Sequence, residues 1–120
     1  MVINREVEAR SSAFYKRLTS FLYYNSGYSI GGIARSSSRA SGQHRDISNL
    51  DVIFWIKGDP PKADVYTDLI EKLRNIMNLN TNMGMDNNVV KIWKKGIKCD
   101  LVLLPEFEYK IEIDSGRYIS

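Results

Sequence analysis

Apolar residues in the first segment, about residues 4–24, fall at Val7, Phe14, Leu18, Phe21 and Leu22. Gaps of three, four and seven put them on one side of a helix, with Arg10, Lys16 and Arg17 on the other. Asn25-Ser26-Gly27 ends that helix with turn chemistry. Residues 28–32 predict a short strand closing on a glycine pair. Residues 50–56 are apolar on both faces apart from Asp51, which predicts a strand in the middle of a covered sheet. Gly58-Asp59-Pro60-Pro61 turns the chain, with Asp59 placed to cap and either proline suited to a first helical turn. The helix that follows runs to about Met77, with Val65, Leu69, Ile70, Leu73, Ile76 and Met77 on its core face.

The Asn-rich residues 78–88 read as loop, residues 89–93 as a strand and Lys94-Lys95-Gly96 as a tight turn. Residues 97–104 form a second apolar strand, interrupted by Asp100. Over residues 106–114, Phe107, Tyr109, Ile111 and Ile113 alternate with Glu106, Glu108, Lys110 and Glu112, which predicts an edge strand with one wet face. The elements in this order predict an α+β fold: a mixed β-sheet of about four to five strands with two main helices packed on it.

Composition narrows the class. A chain of 120 residues, 43% hydrophobic and 26% charged, is expected to form a single soluble domain. The net charge of +3 is too mild to mark a dedicated nucleic-acid binder by itself, which leaves the distribution of that charge to matter. Cys99 and His44 are each the only residue of their type, which excludes an intramolecular disulfide and multi-histidine or cysteine-only metal centres. Charges at Arg5, Glu6, Glu8 and Arg10 stand where a signal peptide needs an apolar run, and no stretch approaches the roughly 20 apolar residues of a membrane span. A cytoplasmic protein is expected.

Residues 34–48 form a long polar segment rich in serine, glycine and arginine, with basic residues Arg35, Arg39 and Arg45 beside His44 and Asp46. Glycines let backbone N–H groups approach a phosphate, and serine hydroxyls and arginines add donors and charge. Strand alternation puts Asn49 and Asp51 on one face and Leu50, Val52 and Phe54 on the other. Asp100 interrupts its own apolar strand in the same manner. If the two strands are neighbours in register, the aspartates lie roughly 5 Å apart and repel. A bound Mg²⁺ or Mn²⁺ relieves that conflict and keeps positions for phosphate oxygens. A phosphate cradle followed by strand carboxylates is a layout for phosphoryl transfer.

The ordered set Gly31-Gly32, then Asn49-Leu50-Asp51-Val52-Ile53-Phe54, then Gly96-Ile97-Lys98-Cys99-Asp100-Leu101-Val102 resembles the nucleotidyltransferase superfamily of DNA polymerase beta. Within it, the chain looks most like the branch of oligoadenylate synthetase and cyclic GMP-AMP synthase. The resemblance implies a minimal core that transfers a nucleotidyl group from a nucleoside triphosphate to a hydroxyl acceptor, which is a nucleotide, nucleic acid or protein. It implies Asp51 as metal ligand, Asp100 as metal ligand and activator of the acceptor, and Gly31, Gly32, Arg35, Ser36 and Ser37 around the triphosphate. Asn49 stands where the family has its first acid and brings an amide oxygen without charge. The segment between Gly32 and Asn49 is longer than the family's, and the relatives carry a further helical domain. A partner protein, a second copy or the acceptor itself is therefore expected to complete the cleft. The alternatives are a nucleotide sensor or interaction module that has lost chemistry at Asn49, the small component of a toxin–antitoxin pair, or, as an outside option, a generic single-stranded nucleic-acid binder with a steep salt dependence.

Overall fold

A computed structural model describes residues 5–36 and 48–120. Along the chain lie α1 (Arg5–Tyr24), β1 (Ile30–Ser36), β2 (Ser48–Ile56), α2 (Lys62–Met77), β3 (Asn80–Met83), β4 (Val90–Lys94), β5 (Ile97–Leu103), α3 (Glu106–Asp114) and β6 (Tyr118–Ile119). Among the described residues the strands form one mixed six-stranded sheet in the order β3-β4-β5-β2-β1-β6. The α+β architecture is the expected one. Its central pair, β2 and β5, is parallel, and the other neighbours are antiparallel. None of the helices described is long and apolar enough to cross a membrane.

Two helices cover one face of the sheet. Phe14, Leu18, Phe21 and Leu22 of α1 and Val65, Tyr66, Leu69, Leu73 and Met77 of α2 are buried there against Leu50, Val52, Phe54, Cys99 and Leu101. The predicted core face of α2 is shifted slightly: Tyr66 is fully buried, whereas Ile76 is 57% exposed. The Tyr66 hydroxyl explains its inward position. It accepts the Leu103 N–H at 2.9 Å and donates to the Asn88 carbonyl at 3.2 Å, tying α2 to the far end of β5. Asn78 ends α2 in the left-handed conformation, its N–H and that of Leu79 turned back over the last turn, with Leu79 bonding the Leu73 carbonyl.

Four local expectations are corrected. Residues 106–114 are a helix, not a strand. Tyr109 and Ile113 are four residues apart, as are Phe107 and Ile111, so the same alternation serves a helix that buries only the first pair. Glu106 and Glu108 sit in the first turn, where the helix dipole favours acids, and Lys110 pairs with Glu106 at 3.2 Å. The Asn-rich stretch contains strand β3, which pairs with β4 despite its poor strand propensity. The first strand extends to Ser36, and β6 pairs with its end. Pro61, not Asp59, precedes the first residue of α2; Asp59 takes a φ of 47° in the turn before it.

On the opposite face α3 lays Tyr109 and Ile113 over Ala34, Ile53, Trp55, Val102 and Tyr118. It covers the β2, β1 and β6 side of the sheet. The outward side chains of β3 and β4, and Lys98 at the start of β5, remain open to solvent, whereas Val102 farther along β5 lies under α3.

Candidate functional site

Asp51 and Asp100 are register partners across the central parallel pair, flanked by Leu50↔Cys99 and Val52↔Leu101. Side chains alternate, so both carboxylates emerge on the outer face while Cys99 and Leu101 enter the core. Adjacent strands lie about 4.8 Å apart, which holds the two carboxylates side by side. Asn49 lies two residues before Asp51 on the same face, opposite Lys98.

A third charge joins the row. The two-residue turn Lys95-Gly96, with φ of 38° and 81°, fixes the β4–β5 hairpin so that Lys91 faces Asp100. Its Nζ lies 3.4 Å from Asp100 Oδ1. Partial burial of the carboxyl against the sheet raises the Asp51 pKa above its ordinary value of 3.8; the Asp100 charge adds to the rise and Lys91 opposes it. Burial, helped by the same two carboxylates, drives the Cys99 thiol upward, so this core cysteine stays protonated and unreactive.

Asn49, Asp51 and Asp100 are therefore brought together. Ser36 continues the outer face of β1 beyond Ala34, which pairs with Ile53, and it faces Tyr118 of β6. Burial first, and then the charge of Asp51, hold the Tyr118 hydroxyl above its ordinary pKa. A cleft of about 540 Å³ opens next to this row, lined by Ser36, Ile53, Val102, Glu108, Arg117 and Tyr118 among others.

Arg35 is not brought to the carboxylates. It pairs with Val52 and lies on the α1 face, its guanidinium 5.5 Å from the centre of the Tyr15 ring. Gly31 and Gly32 sit at a bulge four positions along the sheet from the carboxylates, about 13 Å away at 3.3 Å per residue. A Cβ on Gly31 would fall 2.2 Å from the Trp55 indole, and one on Gly32 would fall 2.9 Å from the Tyr109 hydroxyl. The pair makes room for two aromatic rings. Ser37, Arg39, His44, Arg45 and Asp46 lie outside the described residues.

Among the described residues, no group of three or more His, Cys, Asp or Glu side chains converges as a metal cluster. The oxygen donors present are two carboxylates and the Asn49 amide. That set suits a hard divalent cation such as Mg²⁺, which takes one or two carboxylates and fills its remaining positions with water or phosphate oxygens. Sequence reasoning missed Tyr118 and the pairing of Lys91 with Asp100. The second was accessible, because a two-residue turn at Lys95-Gly96 dictates the register of its hairpin.

No protein-family model matches the chain, and no curated protein matches it in sequence. Its fold is similar to that of a solved structure, the Bradyrhizobium diazoefficiens CD-NTase CdnG in complex with GTP, with a TM-score of 0.62 and 14% identity. The superposition covers 84% of this chain and 33% of CdnG, so the chain spans about a third of that protein's length. Over the superposed residues this chain shares the fold of that structure, a mixed sheet with a central parallel pair.

Proposed function

We propose that the outer face around Asp51 and Asp100 binds a nucleoside triphosphate with Mg²⁺ or Mn²⁺ and transfers its nucleotidyl group to a hydroxyl acceptor. The observation that supports this most is the Asp51↔Asp100 register on one open face of the parallel pair. The order of glycine pair, strand aspartate and later strand aspartate further favours the branch of oligoadenylate synthetase and cyclic GMP-AMP synthase.

In this reading Asp51, Asp100 and the Asn49 amide oxygen hold the cation. The cation, when bound, neutralises charge on the triphosphate and lowers the barrier to attack on it. The acceptor oxygen forms a bond to the α-phosphorus as the bond to the β-phosphate's bridging oxygen breaks. Pyrophosphate leaves, and the hydroxyl proton passes to the Asp100 carboxylate. Ser36 and Tyr118 flank the cleft as hydroxyl-bearing contacts for the nucleotide. Gly31 and Gly32 support the site by seating Trp55 and Tyr109.

One observation favours a second reading, a sensor that binds nucleotide without turnover. Asn49 supplies no charge, and the ammonium of Lys91 already occupies one side of Asp100. Incubation with α-labelled nucleoside triphosphates and Mn²⁺ separates the two. Label transfer that Asp51→Asn abolishes supports the enzyme. Nucleotide-dependent stabilisation with no transfer, and transfer restored by Asn49→Asp, supports the sensor. Transfer unaffected by Asp51→Asn sinks the site assignment altogether.

A further inference from the structure

The half of the outer face left open by α3 carries its own chemistry. Trp93 is 43% exposed and points outward from β4, with Lys98 as its register partner on β5 and Asn80 on β3. Lys91 stands two positions along on the same face, opposite Asn82. A large indole on an open sheet surface contrasts with Trp55, which is seated over Gly31 and beneath α3. Around the β3 edge a cleft of about 520 Å³ is lined by Arg74, Asn78, Asn80, Asn82 and Trp93. Lys95 and Lys98 are exposed and, among the described residues, make no salt bridge.

An exposed aromatic plane, amide side chains and solvated lysines are what a nucleotide unit needs. The base stacks on the ring, the amides bond its edge and the lysines meet its phosphates. We propose that the open face of β3, β4 and β5 binds single-stranded nucleic acid, with one base on Trp93 and adjacent phosphates on Lys98 and Lys95. Lysines spread along the hairpin favour a strand over a lone nucleotide, because they offer contacts to successive phosphates. Trp93 and Asp100 are two residues out of register, about 7 Å along the strand direction. The stacked nucleotide therefore lies beside the carboxylate pair, its terminal hydroxyl placed as the acceptor. That last role rests on the proposed nucleotidyl transfer; the binding does not.

Fluorescence anisotropy with labelled ten-nucleotide single strands, titrated at several salt concentrations, tests the inference on the full chain. Wild type is expected to bind with a clear salt dependence. Trp93→Ala is expected to weaken binding about tenfold or more, with Trp93→Phe retaining most of it. Lys98→Gln is expected to weaken binding to all sequences and flatten the salt slope by about one. Absence of binding, equal affinity of Trp93→Ala, or displacement by a mononucleotide at the same nucleotide concentration overturns the proposal. Asp51→Asn removes a negative charge beside the strand and is expected not to weaken this binding, so loss of label transfer by that variant reports on the catalytic reading alone.

Discussion

Asp51 carries a cost that its neighbours only partly relieve. Its carboxyl is held above the ordinary value of 3.8 by burial and by Asp100, so the folded protein binds this proton more tightly than the unfolded chain does. The resulting stability is present below the ordinary value and is lost as pH rises through the raised one. Asp51→Asn removes the repulsion and is expected to raise Tm at pH 7 by about 2 °C, a small figure because water screens this exposed residue. The gain should shrink to nothing below about pH 4, where the parent carboxyl is protonated. A Tm difference that grows on acidification would contradict the account. Tyr66 makes the opposite case, a buried polar group fully used. Tyr66→Phe strands the Leu103 N–H in the core and is expected to cost about 1–2 kcal/mol. Urea unfolding should show a lower midpoint at an unchanged m-value.

At the scale of elements, the bulge at Gly31 and Gly32 decides how α3 sits. With no Cβ on either residue, Trp55 and Tyr109 close over β1, and Tyr109 anchors α3. Gly31→Ala drives a methyl into the indole and is expected to destabilise by about 3 kcal/mol, the upper end for overpacking. Equal stability of that variant in chemical denaturation would show that Trp55 does not sit where the structure has it. The glycine pair was visible in the sequence, but its two readings, phosphate cradle and aromatic seat, demand the same absence of a side chain. Only the position of Trp55 separates them. Helices α1 and α2 and the strands β2 and β5 were legible because long apolar periodicity has one solution. The segment of α3 was not, since alternation every two residues also places pairs four apart. Strand β3 left no signal in Asn80–Met83, because pairing with β4 and not propensity makes it, and β6 is two residues, Tyr118–Ile119, too short to read as a strand despite their strand preference. Arg35 read as part of a polar loop, but extension of β1 by alternation turns it onto the α1 face.

For the molecule as a whole, the layering sets what the sheet can do. Helices α1 and α2 seal one face, α3 seals half of the other, and the acids, Lys91 and Trp93 occupy the open half. The carboxylate pair depends on a parallel neighbour separated from β2 by α2, β3 and β4, a register that no local sequence feature specifies. The alternating pattern around Asp51 and Asp100 showed that each acid left the core; the crossover brings them level. The proposed nucleotidyl transfer requires these two carboxylates to share one divalent cation. Titrating the protein with Mn²⁺ in the presence of a nucleoside triphosphate, with free Mn²⁺ read by electron paramagnetic resonance, tests it most directly. Protein-dependent loss of the free-ion signal is expected, and Asp51→Asn and Asp100→Asn should each abolish it. Retention of that binding by either variant would contradict it.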